Sequence, residues 1–223
     1  MRIGAIFIGT LTMVFLTAVM ACNDRSAEGR TRDVDSLFHL DTVGKKEKPM
    51  NVDLLIVPGS AIGKVKIGMN TQALVKTIGE PDLSDAAMGK AWLTWYNKKS
   101  PSSELDVYTA YTDGNMTERT VQLIRASSEN FRTTDSVGVG TSFGEIEKKF
   151  PGLRYVSHYR KDSTGEIVSL YADQKEGVAF EFAAVENHKK CLSVIVFDTS
   201  RLLLSVYESF LNIRRWKKIN DPK

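Results

Sequence analysis

The sequence predicts an α+β fold: two tandem repeats, each a short helical element followed by an antiparallel β-meander, and then a C-terminal amphipathic helix. Three observations predict it. A helix-start pattern occurs near Val65 and again 72 residues later near Val137; β-branched and aromatic runs follow each copy; and apolar residues recur at helical spacing near the chain end. The 223 residues, 42% hydrophobic, suffice for a buried core, and a net charge of +3 gives no sign of a nucleic-acid partner.

The chain begins with a segment typical of export. Residues 3–21 carry no charge, follow Arg2, and end in small residues beside Cys22, which is the layout of a secretory signal. We therefore assign residues 1–21 to a signal peptide. A helix of about 19 residues would also just cross a bilayer, so an uncleaved membrane anchor is the alternative.

The end of this segment resembles the bacterial lipobox. Val19, Met20 and Ala21 occupy its aliphatic, tolerant and small positions before Cys22. The resemblance implies that Cys22 is lipidated and becomes the mature N-terminus, which would anchor the protein in the bacterial cell envelope, at the outer membrane. Several acyl chains would hold it firmly, since each buried methylene contributes about 0.8 kcal/mol.

Residues 22–50 form the predicted lipidated N-terminus and flexible tether. This stretch mixes charges, lacks a sustained period, and contains one short apolar cluster at Leu37–Leu40, too little to offset the entropy of ordering it. The chain has only two cysteines, so with Cys22 lipidated no disulfide is expected. Cys191 opens an apolar, β-branched run, which predicts a small packed thiol.

Each repeat is predicted to contain one helix with a clear start. Asn70 and Ser142 are good N-cap residues, because a side-chain oxygen can accept a hydrogen bond from a free backbone amide. Ser142 with Glu145 also forms a Ser-x-x-Glu capping box. Both helices are expected to be short, ending at Gly79 and at Phe150 just before a proline.

Three antiparallel strands are predicted to follow each helix, in sheets covered on one side. They lie at 91–96, 105–111 and 120–126 in the first repeat, residues 51–130, and at 166–172, 177–183 and 191–197 in the second, residues 131–199. Sequence identity between the halves is close to chance, so the prediction depends on residue classes. Tyr108, for example, matches Phe180, and Ile124 matches Val196 at the strict spacing of 72 or Val194 in another register.

Residues 200–223 are predicted to form a C-terminal amphipathic helix and a basic tail. Apolar residues recur at helical spacing after a cap at Ser200, and the segment ends in Arg214, Arg215, Trp216, Lys217 and Lys218. Two roles are open. The helix docks on the sheet with its basic end in water, where cations favour the helix dipole, or the basic end contacts anionic lipid headgroups near the anchor.

The first repeat contains a recognisable motif at its helix: Gly68-Met69-Asn70, then Leu74, then Ile78-Gly79-Glu80-Pro81. These residues resemble the Gly-Met-Ser/Thr, helix, Leu-Gly-x-Pro signature of the BamE/SmpA outer-membrane lipoproteins. The duplication of the repeat resembles the beta-lactamase inhibitory protein (BLIP) architecture. These resemblances imply a helical hairpin on a small antiparallel sheet and a role in binding proteins without catalysis. The intradomain disulfides usual in the inhibitory protein are absent here, so inhibition of beta-lactamase itself is not implied.

The sequence contains little that indicates catalysis. Gly59 and Gly63 precede Lys64, but a phosphate-binding loop needs four residues between its glycines and a Ser or Thr after the lysine. The three histidines are not grouped as metal ligands would be, and no nucleophile is placed beside a base. We therefore predict no cofactor, no metal and no enzymatic activity.

The best candidates for partner binding are aromatic residues on neighbouring strands. Period-2 alternation places Trp92 and Tyr96 on one face, possible neighbours of Tyr108 and Tyr111 on the next strand. If helices cover only the other face, these rings meet water and suit a protein interface. The alternative is that the C-terminal segment covers them.

These observations predict a lipid-anchored cell-envelope protein that binds another envelope or secreted protein through its sheet face. The alternatives are a binding module for a small ligand, an inhibitor of a hydrolase, and an unrecognised enzyme. On the leading hypothesis, Trp92→Ala with Tyr96→Ala abolishes partner binding and leaves the fold intact.

Overall fold

The structure, a computed structural model, describes residues 51–112, 116–184 and 189–219. The predictions for residues 1–50, including lipidation of Cys22, lie outside the described residues. Within these ranges are three α-helices: α1 (Thr71–Ile78), α2 (Phe143–Lys149) and α3 (Leu203–Ile213). A short 3-10 helix at Val52–Leu54 precedes them.

Twelve described strands form two antiparallel sheets. The small sheet contains β1 (Ile56–Val57), β2 (Ala61–Ile62) and β3 (Val65–Lys66). The large sheet contains β4 (Leu83–Ala87), β5 (Lys90–Asn97), β6 (Ser100–Tyr111), β7 (Arg119–Ala126), β8 (Arg154–Lys161), β9 (Ile167–Asp173), β10 (Val178–Ala183), β11 (Cys191–Phe197) and β12 (Trp216–Ile219). Its strand order is β12-β8-β9-β10-β11-β7-β6-β5-β4, so β4 and β12 are the edges. The predicted α+β class is confirmed.

The large sheet has a hydrophobic core on each face. On one face α1, α2 and the small sheet bury Leu74 and Ile146 against residues such as Leu93. On the other face α3 buries its own apolar residues against Trp92 and its neighbours. The prediction of sheets covered on one side is therefore wrong, because α3 covers the second face.

The two predicted helix starts are confirmed. The Asn70 side chain accepts a hydrogen bond from the Ala73 amide at 2.7 Å. Ser142 and Glu145 form a complete capping box at the start of α2. These starts were predictable because every group involved lies within four residues along the chain.

Each half has four strands in the large sheet, β4–β7 and β8–β11, where three were predicted. The overlooked strands lie directly after the helices. All five β4 residues are exposed, so the strand carries no apolar alternation. Strand β8 has a bulge between Tyr155 and Ser157, which shifts its pairing with β9 and breaks a period of two.

The C-terminal segment also differs from the prediction of one helix from Ser200 into the basic tail. Helix α3 begins after Leu202, which makes no side-chain cap, and ends at Ile213. Arg215 has a φ of 56°, and residues 216–219 then pair with β8 as strand β12. A left-handed residue ends a helix and lets the chain reverse.

One predicted correspondence between the halves is also wrong. Tyr108 packs in the α3-side core, whereas Phe180 packs in the opposite core. Val107 pairs with Ile124, and Val178 pairs with Val196. If Ile124 of β7 corresponds to Val196 of β11, then their partners Val107 of β6 and Val178 of β10 also correspond. These two partners are 71 residues apart, not the 72 that the prediction assumed. A bulge after Tyr108 restores the spacing of 72.

Candidate functional site

A cluster of charged side chains lies between the large sheet and the C-terminal segment. Its members are Glu104 and Asp106 of β6, Arg125 of β7, Glu181 of β10, and Arg214 at the end of α3. Three of them, Asp106, Arg125 and Glu181, are at most 3% exposed. Three carboxylates against two guanidinium groups leave one negative charge in excess.

Arg125 is at the centre of the cluster. Its Nε and Nη2 donate to the two oxygens of Glu181 at 3.2 and 2.8 Å, a bidentate pair. Its Nη1 donates to Asp106 Oδ2 at 2.8 Å and to Glu104 Oε1 at 3.1 Å. The guanidinium also lies 5.2 Å from the centre of the Phe210 ring, within cation–π range.

Two further contacts attach the C-terminal segment to the cluster. Arg214 Nη2 donates to Asp106 Oδ1 at 2.6 Å and to Glu104 Oε2 at 2.8 Å. The buried Tyr159 hydroxyl donates to Glu181 Oε1 at 2.5 Å and lies 3.2 Å from the Tyr207 hydroxyl of α3. The cluster therefore joins the sheet to α3 and to Arg214 at the end of that helix.

The pairing outweighs the cost of burial for the charged groups. Burial alone would raise the pKa of Glu181, but Arg125 and the hydrogen bonds bring that pKa below its usual range. Burial opposes the charged form of Arg125 too, yet Glu181 and Asp106 hold its pKa well above the ordinary value. Burial and then Glu181 raise the pKa of Tyr159 far above 10, so its hydroxyl stays protonated.

This arrangement is suited to holding the fold together. A catalytic acid or base must reach a substrate, whereas Asp106 and Glu181 are almost completely enclosed and paired. Removing one member of a buried ion pair leaves an uncompensated charge. The cluster was not predicted from the sequence, although one signal existed: Glu181 interrupts the otherwise apolar strand sequence of β10.

The structure corrects two of the predicted protein-binding residues. Trp92 is 4% exposed and Tyr108 is 3% exposed, both beneath α3. The Trp92 ring lies 4.7 Å from Phe210, and its Nε1 donates to Ser209 Oγ at 2.9 Å. The alternative, that the C-terminal segment covers this face, holds because α3 places a row of apolar side chains on these rings.

The other two candidates are closer to water. Tyr96 is 37% exposed and lies opposite Glu104 on β6. Tyr111 is partly buried, and its ring packs against Gly89 in the β4–β5 turn, where a Cβ would come within 2.6 Å of it. Gly89 also has a φ of 76°, so both space and backbone conformation require glycine there. The four aromatic residues therefore form no common exposed surface.

The predicted membrane-surface residues do not form a free basic patch either. Arg214 is paired within the cluster, and Trp216 stacks on Tyr159 with ring centres 5.3 Å apart. Lys217 lies 3.2 Å from Asp162, and Lys218 lies 3.4 Å from Glu208. Arg215 is exposed. Residues 216–219 are a strand of the large sheet, which spreads these cations along its edge.

The edge strand β4 is the most accessible part of the large sheet. It pairs with β5 on one side, and no described strand pairs with its other side. All five residues are exposed, including Leu83 at 53%, and the adjoining Met88 is 99% exposed. An uncovered edge presents free backbone donors and acceptors to another chain.

A groove runs beside β4 on the α3 side of the sheet. It has a volume of about 270 Å³, with Leu83 and Asp85 on one wall, Trp92 on its floor, and Phe210 and Ile213 on the other wall. Asp85 and Trp92 are directly opposite each other in the strand pairing. A segment added along β4 would therefore have a partly apolar recess for a side chain.

The opposite edge is different. Strand β12 contains Lys217 and Lys218, both exposed. Lysines on an edge strand discourage the approach of another strand, because their charges would have to be desolvated. The two edges of the sheet are therefore unequal as binding surfaces.

The described residues contain no group of three or more metal-ligating side chains. In the same part of the chain, no helix has the length and apolar character needed to cross a bilayer. Cys191 is buried with a free thiol, and burial raises its pKa well above the ordinary value. A packed, protonated thiol is what its position in an apolar run predicted.

No protein-family model matches the chain, and no curated protein matches it. One matching solved structure is that of the uncharacterized protein YfeY from Escherichia coli. It is 12% identical, with a TM-score of 0.40, over 63% of this chain and 98% of that chain. A likeness at this level carries no argument about function.

Proposed function

We propose that this protein is a lipid-anchored component of the bacterial cell envelope that binds an extended segment of another envelope or secreted protein and catalyses nothing. The binding surface is the outer edge of β4 together with the groove beside it. This replaces the aromatic sheet face predicted from the sequence, since Trp92 and Tyr108 are buried beneath α3.

The observation that carries the proposal is the exposed edge of β4. A peptide that adds as a further strand gains main-chain hydrogen bonds from the edge and specificity from pockets for alternate side chains. Strand β4 offers both, since its five residues are exposed and the groove lies beneath Leu83 and Asp85. The lysines of β12 direct binding to the β4 edge.

The location is supported by the N-terminal pattern of the sequence. An uncharged segment followed by Val19-Met20-Ala21-Cys22 favours export and lipidation. A contact function is supported by the enclosure of Asp106 and Glu181, which keeps these two carboxylates away from any substrate.

We also infer that the two halves derive from one duplicated unit of a helix and a four-stranded meander. The support is the pairing where the halves meet, since Leu123 pairs with Phe197 and Arg125 pairs with Ile195, on either side of the Ile124–Val196 pair. When each residue of these three pairs is replaced by the residue 72 positions away in the other half, the same three pairs result. Kinship to the BamE/SmpA and BLIP families is a further prediction of the motif near Gly68.

Site-specific photocrosslinking in intact cells tests the proposed function. A benzophenone amino acid at Ser84 on β4 should give an adduct of defined mass with a second protein. The same group at Ser163, exposed in the β8–β9 turn, is the matched control and should give none. The adduct should be in the membrane fraction and should leave that fraction when Cys22→Ser removes the lipid site.

Two lysine substitutions complete the test. Ala86→Lys introduces a charge at the β4 edge and should reduce the adduct at least about tenfold, because edge lysines oppose strand addition. Gln72→Lys, on an exposed position of α1, should leave it unchanged. Equal adducts from Ser84 and Ser163, or an adduct insensitive to Ala86→Lys, would contradict binding at this edge.

A further inference from the structure

A second groove opens on the α3 side of the sheet where α3 begins. Its volume is about 420 Å³, and Tyr155 and Val156 of β8, Ala172 of β9, Leu202 and Leu204 line it. Leu202 is 73% exposed, and Val156 and Leu204 beside it are partly exposed. Large apolar side chains grouped at an aqueous surface point to a partner that covers them.

The charged side chain that lines this groove is cationic. Arg154 lines it, and its Nη1 donates to the carbonyl oxygens of Pro151 at 3.0 Å and Leu153 at 2.8 Å, which fix the guanidinium at the rim. Arg201 directly precedes Leu202. Among the described residues that line the groove there is no carboxylate.

An acidic side chain behind this rim, that of Asp173, is withdrawn from solvent. The Asp173 carboxylate lies directly against Gly152, in the space that a Cβ at that position would occupy, and Asp173 is 4% exposed. An apolar surface with a cationic rim is complementary to the boundary between acyl chains and anionic headgroups.

Another exposed apolar group lies near the start of the described chain, but it lacks this complementarity. Val52 is 70% exposed and Leu54 is 37% exposed, and Asp53 between them carries a carboxylate paired with Lys64. An anionic surface would repel that carboxylate. The groove at the start of α3 is therefore the better match for a lipid surface.

The position of the groove is compatible with binding at β4. Strands β8 and β4 are seven strand spacings apart in the large sheet. The two grooves lie at opposite ends of α3, whose 11 residues span roughly 16 Å at about 1.5 Å each. None of the residues that line the groove at the start of α3 belongs to β4.

We propose that the groove at the start of α3 rests on the membrane, with Leu202 entering the headgroup–acyl boundary and Arg154 and Arg201 facing anionic headgroups. The inference rests on the lipid anchor of the proposed function. The anchor keeps the domain near the bilayer, so a patch of modest affinity is enough to orient it. The predicted membrane contact thus moves from the end of α3 to its start.

The test uses the mature lipidated chain in vesicles of phosphatidylethanolamine and phosphatidylglycerol. An environment-sensitive label is attached at Leu202→Cys, or at Ser205→Cys, which keeps Leu202. Cys191 is buried and does not compete for the label. Quenching by spin-labelled acyl chains should be at least about twofold stronger at these sites than at Leu83→Cys, an equally replaceable leucine on β4.

Arginine substitutions examine the charge requirement. Arg154→Gln with Arg201→Gln should lower the quenching at residue 205 to the level found in neutral phosphatidylcholine vesicles, since each basic residue contributes about fivefold to association with an anionic surface. Lys64→Gln, at the distant pair with Asp53, should change nothing.

The outcomes separate the two proposals. A chain that floats with the vesicles but shows equal quenching at residues 202, 205 and 83 overturns the membrane-facing groove and leaves the anchor intact. A chain that fails to float contradicts the lipid anchor itself, and the inference with it. Strong quenching that ignores both arginine substitutions overturns the headgroup contact.

Discussion

Glu181 shows how much one buried carboxylate can contribute to this fold. It accepts from Arg125 through both oxygens and from Tyr159, at a position that is 1% exposed. Since its pKa is lowered in the folded protein, the unfolded chain binds more protons than the folded one in acid. Its stabilising contribution is therefore present above its ordinary pKa and is lost as the pH falls through the lowered value.

The variant Glu181→Gln should consequently be destabilised at pH 7 and less so in acid. The substitution removes one charge of the buried bidentate Arg125–Glu181 pair, a kind of loss that costs about 3–5 kcal/mol. Urea unfolding at pH 7 and at pH 3 measures the difference. Asp135→Asn, at an exposed pair with Lys149, should cost at most about 1 kcal/mol at either pH. A cost for Glu181→Gln that is the same at both pH values would show that its charge is not what matters.

At the scale of single residues, the helix N-caps could be predicted from the sequence, whereas the buried ion pairs could not. Ser142 and Asn70 were predictable because their partners lie three residues away. Arg125 and Glu181 are 56 residues apart, and nothing local indicates that they meet. A buried ion pair is set by strand register and by what covers the sheet, and neither can be read from one strand's sequence.

Helix α2 illustrates stabilisation at the scale of an element. It has only seven residues, too few to be stable alone, so its formation depends on packing of Ile146 and on its capping box. The Ser142 hydroxyl accepts from the Glu145 amide, and the Glu145 carboxylate accepts from the Ser142 amide at 3.2 Å.

Ser142→Ala should lower the free energy of unfolding by about 1 kcal/mol, because it leaves a helix amide without a partner. Ser142→Asp should recover most of the loss, since a carboxylate also caps. Ser163→Ala, in the exposed β8–β9 turn, should be neutral within about 0.5 kcal/mol. Denaturant midpoints give the comparison, and a midpoint for Ser142→Ala equal to that of Ser163→Ala would contradict it.

The elements that escaped prediction share a physical reason. Strand β4 has no buried residue, and β12 lies where a helical period ends in a run of cations. Both strands are held by pairing with a neighbour and not by an apolar pattern of their own. Periodicity detects an element through the face that it buries, so edge strands give the weakest signal.

At the scale of the whole molecule, the C-terminal segment is the cover of one face of the sheet. Helix α3 encloses Trp92 and Tyr108, and Arg214 pairs with Asp106. The sequence left open whether these rings were exposed, because the docking of a distant helix depends on tertiary packing.

Ending the chain after Leu202 should therefore expose a large apolar face and leave Asp106 without Arg214. We expect loss of cooperative unfolding and a several-fold rise in binding of a hydrophobic dye, as for a protein whose specific packing is lost. A chain that ends after Ile219 keeps α3 and β12 and should behave like the full protein. A shortened chain that still unfolds cooperatively at the original midpoint would mean that α3 is dispensable.

The inequality of the two sheet edges also limits what can be assembled. A ligand strand that pairs with β4 becomes the new edge of the sheet. At the opposite edge, Lys217 and Lys218 of β12 prevent pairing with a strand of a second molecule. A fibre that grows from molecule to molecule needs two sheet edges that can each pair with another strand. The complex with the partner should therefore have one-to-one stoichiometry, and the sheet should not extend beyond β12.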